Sequence, residues 1–102
     1  MPSRFNLHEE LVTILGTRNV YFQPPESIRM TYPCIVYHKN APGVSYADDI
    51  KYLDRKRYDL VVISRDPDND IAENIANYFN YCTIQSRYIA ENLYHDTLEL
   101  YY

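Results

Sequence analysis

The groups in this chain from which chemistry could start are three histidines, His8, His38 and His95, and two adjacent pairs, Asp48-Asp49 and His95-Asp96. General acid or base work needs such a side chain within hydrogen-bond reach of the proton it moves. None of the candidates is well placed for it. His8 falls on the polar side of an N-terminal helical pattern, which assigns it to solvent. Neighbouring residues of a strand point to opposite faces, so His95 and Asp96 make no dyad on an unkinked strand. That leaves His95 for a hydrogen bond at a sheet end or a subunit contact. Asp48-Asp49 would hold a divalent cation only with further oxygen ligands that the sequence does not supply. A solvated loop or an intersubunit ion pair suits them better. With two glycines, Gly16 and Gly43, there is no glycine-rich phosphate loop. Cys34 and Cys82 lack metal-binding spacing and read as reduced, buried thiols of a reducing compartment. No catalytic, cofactor-binding or metal-binding residue is assigned.

The elements that would position these groups are legible from periodicity. Leu7, Leu11, Ile14 and Leu15 repeat on one face of a helix from Arg4 to Gly16, started by Ser3 or by an Asn6/Glu9 capping box and closed by Gly16. Asn19 to Gln23 reads as a short strand stopped by Pro24-Pro25. Tyr32 to His38 reads as a second, with Ile35 and Tyr37 on one face and Cys34, Val36 and His38 on the other. Residues 40–52 lack periodicity and read as a long hairpin connection or projecting arm. The run from Lys51 to Arg65 begins charged and ends in Leu60-Val61-Val62-Ile63, whose consecutive β-branched residues fit a central strand covered on both sides. Asp66 and Pro67 then read as the N-cap and first residue of a helix to about Phe79. Ile84, Ser86 and Tyr88 alternate with Gln85, Arg87 and Ile89, and Leu98 and Leu100 with Thr97, Glu99 and Tyr101. These are two strands joined near Ala90-Glu91-Asn92, a turn without glycine. The pattern predicts one α+β domain over residues 1–102. It has a small, mostly antiparallel sheet of four to five strands with two helices packed on it, in the order α-β-β-β-α-β-β.

Composition narrows the class of function. A chain of 102 residues buries only about two thirds of its extended surface, and a partner could supply the rest. Twelve residues are Tyr, against three Phe and no Trp, so much of the apolar surface carries a hydroxyl. Tyr46, Tyr52, Tyr88, Tyr94, Tyr101 and Tyr102 are too many for one small core with every hydroxyl satisfied, which favours an interface. The formal net charge of −4 argues against a protein that grips nucleic acid. Its one basic cluster, Arg55-Lys56-Arg57, is split between two faces by strand geometry and suits a strand end or partner contact. No apolar run reaches membrane-spanning length, and the N-terminus has no export signal.

The order helix, Tyr-Pro-led strand, Ala47-Asp48-Asp49 loop, long strand ending Ser64-Arg65-Asp66-Pro67-Asp68, helix and closing hairpin resembles the tail terminator, or tail completion, proteins of long-tailed bacteriophages. The ending Glu91-Asn92-Leu93-Tyr94-His95-Asp96-Thr97-Leu98-Glu99-Leu100-Tyr101-Tyr102 is similar to the Asn-Leu-x-His and alternating Tyr-Tyr close of such proteins. The resemblance implies a virion structural protein and no enzyme. It would be made in the host cytoplasm and seated at the head-proximal end of the tail. A homohexameric ring would cap the tail tube protein, halt tube polymerisation and present a surface to the head connector or stopper. Genome DNA would pass through its lumen without sequence-specific binding, and no cofactor or membrane is involved. Tyr46, Asp48, Asp49, Tyr52, Arg55, Arg57, Tyr88, Tyr94 and His95 are the expected subunit or partner contacts. The rival expectations are a head–tail connector or stopper of the neck, and a small metal-dependent nuclease or nucleic-acid-binding module using Asp48, Asp49, His95 and Asp96.

Overall fold

A computed structural model of the chain describes residues 3–40 and 56–102. Helix α1 (Arg4–Leu15) and strands β1 (Val20–Phe22), β2 (Cys34–Lys39) and β3 (Arg57–Ser64) precede helix α2 (Ile71–Tyr78) and strands β4 (Cys82–Ala90) and β5 (Leu93–Tyr101). The strands form one five-stranded sheet in the order β1-β2-β3-β5-β4, and the fold is α+β. Every strand pair is antiparallel except β1 with β2, which run parallel. A parallel pair needs a crossover of about a dozen residues. Here residues 23–33 supply it, and Met30 and Tyr32 fold onto one face of the sheet.

The centre of the sheet is β3, as its apolar run predicts. Leu60 and Val62 have no exposed surface and join Leu7, Leu11, Ile75, Leu98 and Leu100 in the core beneath the two helices. Ile63, and in part Val61, face the opposite way and pack with Cys34, Val36 and Leu93 under the crossover. The alternation along β2 divides likewise, Ile35 and Tyr37 toward the helices and Cys34 and Val36 away.

Both helix starts are informative. Ser3 caps α1, its Oγ accepting from the Asn6 amide at 3.2 Å, so the Asn6 alternative is not used. Gly16 closes the helix at φ 88°, where a residue with Cβ is strained, and its amide donates to the Val12 carbonyl at 2.8 Å. For α2 the expected start at Asp66-Pro67 is wrong by one turn. Asp66 accepts from the Asp68 amide at 2.9 Å and Asn69 Oδ1 accepts from the Ile71 amide at 3.2 Å. Short polar side chains bonded to nearby amides compete with the helix and hold residues 66–70 as a turn. The helix then begins at Ile71 behind Asp70, whose side chain makes no capping bond.

The closing hairpin turns on Glu91 and Asn92, at φ 52° and 64°. Two consecutive left-handed residues in a two-residue loop are the turn that matches strand twist, here made without glycine. It sets the register Ala90 to Leu93, Tyr88 to His95, Arg87 to Asp96 and Ser86 to Thr97. Beyond Ser86 a β-bulge intervenes and Ile84 pairs with Leu98. The expected shared face of Ile84, Ser86 and Tyr88 is therefore broken. The extra residue turns Ile84 to the helix side, while Ser86 and Tyr88 stay on the other.

Candidate functional site

Strand β5 sends His95 and Asp96 to opposite faces, as a strand must, and each has its own partner. The His95 ring stacks on Tyr88, centroids 4.7 Å apart and planes 9° from parallel. Its Nδ1 lies 3.0 Å from the Leu93 carbonyl, which can only accept, so Nδ1 carries a proton in that bond. Asp96 is 3% exposed, and both of its oxygens are taken by Arg87, Nε at 2.5 Å and Nη2 at 3.0 Å. Arg87 Nη1 also donates to the Pro67 carbonyl at 3.0 Å. One guanidinium thus satisfies a buried carboxylate and ties the edge strand to the turn before α2.

The face that carries His95 is a set of polar cross-strand pairs. Arg57 Nη2 meets Glu99 at 2.7 Å, Gln85 donates to Glu99 at 3.1 Å, and the Ser86 and Thr97 hydroxyls are 2.7 Å apart. Arg57 also approaches Asp59 at 3.4 Å, and Asn40 donates to Asp59 at 2.6 Å. Of the expected contact residues, Arg57, Tyr88 and His95 share this face. Tyr94 does not; its place in the alternation puts it on the helix side with Asp96 and Leu98. Tyr46, Asp48, Asp49, Tyr52 and Arg55 lie outside the described residues.

Among the described residues, nothing pairs with the outer side of β4, which is a sheet edge. Nearly all of the strand is exposed, and Ile84, Tyr88 and Ile89 stand 40%, 47% and 65% exposed. Between β4 and α2 runs a shallow groove of about 210 Å³ lined by Ala72, Glu73, Ile84, Gln85, Arg87 and Asp96, among others. The other edge, β1, is three residues long and runs into Pro24-Pro25.

His8 is not the solvated residue its place in the helical pattern implies. Its Nδ1 is 2.7 Å from the hydroxyl of Tyr37, a side chain with no exposed surface. Arg4 donates to the same oxygen at 3.4 Å. A guanidinium has no lone pair to offer, so Tyr37 accepts from Arg4, and its hydroxyl keeps both a proton and a second lone pair with which to bond His8 Nδ1. Burial holds the His8 imidazole below the usual histidine range; Glu9 opposes this, and Arg4 and Arg18 reinforce it. Glu10, on the same helix, accepts from Tyr78 at 2.8 Å and from Tyr102, joining α1 to α2 and to the end of the sheet. Four tyrosine hydroxyls, those of Tyr37, Tyr78, Tyr102 and Tyr21, are thereby used inside the subunit, the last accepting from the Thr31 amide at 3.4 Å.

Cys34 is buried under the crossover. Cys82 is only half-buried, which corrects the expectation of two buried thiols, because it opens the edge strand. Burial pushes both thiols up to about 11. Among the described residues no three His, Cys, Asp or Glu side chains gather as a metal site. The nuclease constellation is divided by the sheet, with His95 on one face and Asp96 engaged by Arg87 on the other. Among the described residues no helix is long and apolar enough to cross a membrane.

Sequence reasoning missed the His8–Tyr37 and Arg87–Asp96 pairs. The second had a signal: a two-residue turn at Glu91-Asn92 fixes the register that sets Arg87 opposite Asp96. The first had none, since it joins a helix to a strand 29 residues away. Comparisons with protein-family models, with curated proteins and with solved structures give no match.

Proposed function

We propose that the chain is a ring-forming virion assembly subunit of the tail terminator type. It caps the tail tube, ends tube growth and forms the tail side of the head–tail junction. The observation that carries this reading is the β4 edge. A nine-residue strand that no described residue pairs along one side, with Ile84, Tyr88 and Ile89 exposed, is a template for association that a monomer would be expected to blunt. The sequence likeness of the closing hairpin supplies the phage context, and a small subunit with distinct giving and receiving surfaces suits a closed heterologous ring.

Electron microscopy of particles made without this protein tests the reading. Tails of irregular and excessive length are the expected result. Tails of normal length that fail to join heads would replace it with a connector or stopper in the neck, and normal joined particles would remove it altogether.

A further inference from the structure

Among the described residues, two lysines and four carboxylates that lack an ion-pair partner lie at opposite ends of the sheet. Lys39 and Lys56 lie at the end of the sheet where β2 finishes and β3 begins, and neither has an ion-pair partner among the described residues. They face one another closely enough that Lys56 lowers the Lys39 pKa. Arg4 is near the same end, its guanidinium 4.2 Å from the Phe22 ring. At the opposite end, Asp66, Asp68, Asp70 and Glu73 fall within eight residues of sequence, and none is ion-paired among the described residues. Of the cations beside them, Arg87 is held by Asp96, though it also feels Asp68 and Glu73, and the Arg65 guanidinium lies over the Tyr32 ring. The acidic stretch lies directly beside the open edge, because Arg87 bonds the Pro67 carbonyl and Glu73 lines the groove with Ile84.

We propose that the β4 edge, with the acidic flank of Asp68 and Glu73 beside it, is the surface on which a second copy of this chain seats its Lys39 and Lys56 end. The two surfaces are different, so the contact is head-to-tail and repeats, closing as a ring. Opposite charge steers the approach and fixes the register, while desolvation of Ile84, Tyr88 and Ile89 supplies attraction that does not depend on salt. The occupant is a second copy because one molecule carries both the acidic flank and a complementary basic end that has no ion-pair partner among the described residues. The inference rests on the ring reading for closure, but the surfaces are tested separately from the tail.

The test is a charge exchange on the full chain, read by sedimentation velocity at low and high salt, with thermal unfolding to confirm that each variant folds. The wild type is expected to assemble at 50 mM salt and to weaken at 500 mM. The Asp68→Lys/Glu73→Lys variant and the Lys39→Glu/Lys56→Glu variant should each lose assembly at least tenfold. Mixed in equal amounts they should assemble again, since each then meets an opposite charge at both of its surfaces. Ile89→Glu should weaken assembly without lowering the unfolding temperature. A wild type that stays monomeric at every concentration, reversals that assemble normally, or a mixture that stays apart would each overturn the proposal. If the mixture stays apart while particles lacking the protein carry overlong tails, the surfaces are wrong and the terminator reading stands. Rescue by mixing together with normal tail lengths gives the reverse.

Discussion

The two faces of the sheet are held by different physics, although the same strands build both. Beneath α1 and α2 the side chains are apolar and fully covered: Leu60, Val62, Leu98 and Leu100 against Leu7, Leu11 and Ile75. On the other face Cys34, Val36, Ile63 and Leu93 are the buried apolar cluster among the described residues, under the crossover. The rest is a ladder of ion pairs and hydroxyls between neighbouring strands. The covered face carries stability, since area removed from water accumulates there. The open face keeps register and adds little stability, because exposed cross-strand polar pairs contribute only a few tenths of a kcal/mol up to about 1 each.

Leu60→Ala should separate the faces most clearly. It opens a cavity at a fully buried site and should cost about 2–5 kcal/mol in urea unfolding. Thr97→Ala, which removes a hydroxyl pair from the open face, should cost under about 1 kcal/mol. Equal losses would dissolve the distinction.

Asp96→Ala sits between them, on the helix side but in a polar pair. It removes a buried carboxylate that holds Arg87 by two bonds, and a loss of about 1–2 kcal/mol is expected, moderated because Arg87 reaches water. Hydrogen exchange should quicken at the Pro67 turn, which loses its tether to the edge strand.

His8 sharpens the comparison through pH. Its folded pKa lies below the unfolded value of about 6.5, so on acidification the unfolded chain takes up the proton first. The contribution is intact above about pH 6.5 and is lost as pH falls from there toward the lowered folded value. His8→Gln, which keeps an acceptor for Tyr37 but does not titrate, should show a shallower decline in unfolding temperature between pH 7.5 and 5 than the wild type. An NMR titration of the wild type should find the His8 pKa below 6.5, and a value at or above it would mean that burial does not hold the imidazole neutral.

The smallest expected effect is at the turn. Glu91 adopts φ 52° without the tolerance of Asn or Gly, so Glu91→Gly should stabilise the hairpin by up to about 1 kcal/mol. A loss instead would show that the Glu91 side chain contributes something its backbone strain conceals.

Element order and the central place of β3 were legible in the sequence because both rest on local patterns. A 3.6-residue repeat marks α1, alternation marks β2 and β5, and consecutive β-branched residues mark a strand covered twice. Local pattern also explains the failure at Asp66-Pro67. N-capping and Asx turns draw on the same residue types, and which forms depends on where Ser64, Arg87 and α2 hold the chain; the Asp66 amide donates to Ser64 Oγ at 3.0 Å.

What only the tertiary structure decided is pairing over distance. A helix histidine on the nominally polar side meets a buried hydroxyl because α1 lies across β2. Glu10 gathers Tyr78 and Tyr102, 68 and 92 residues away. The bulge near Gln85 turns Ile84 from the face of Tyr88 to the groove beside α2. Burial and hydrogen bonding across a fold depend on which surfaces meet, and periodicity in one segment carries no information about the other. For the same reason, the sequence by itself showed a tyrosine-rich chain but not that Tyr37, Tyr78 and Tyr102 bond within the subunit, and the fold decided that the edge of β4 lies beside the acids of residues 66–73.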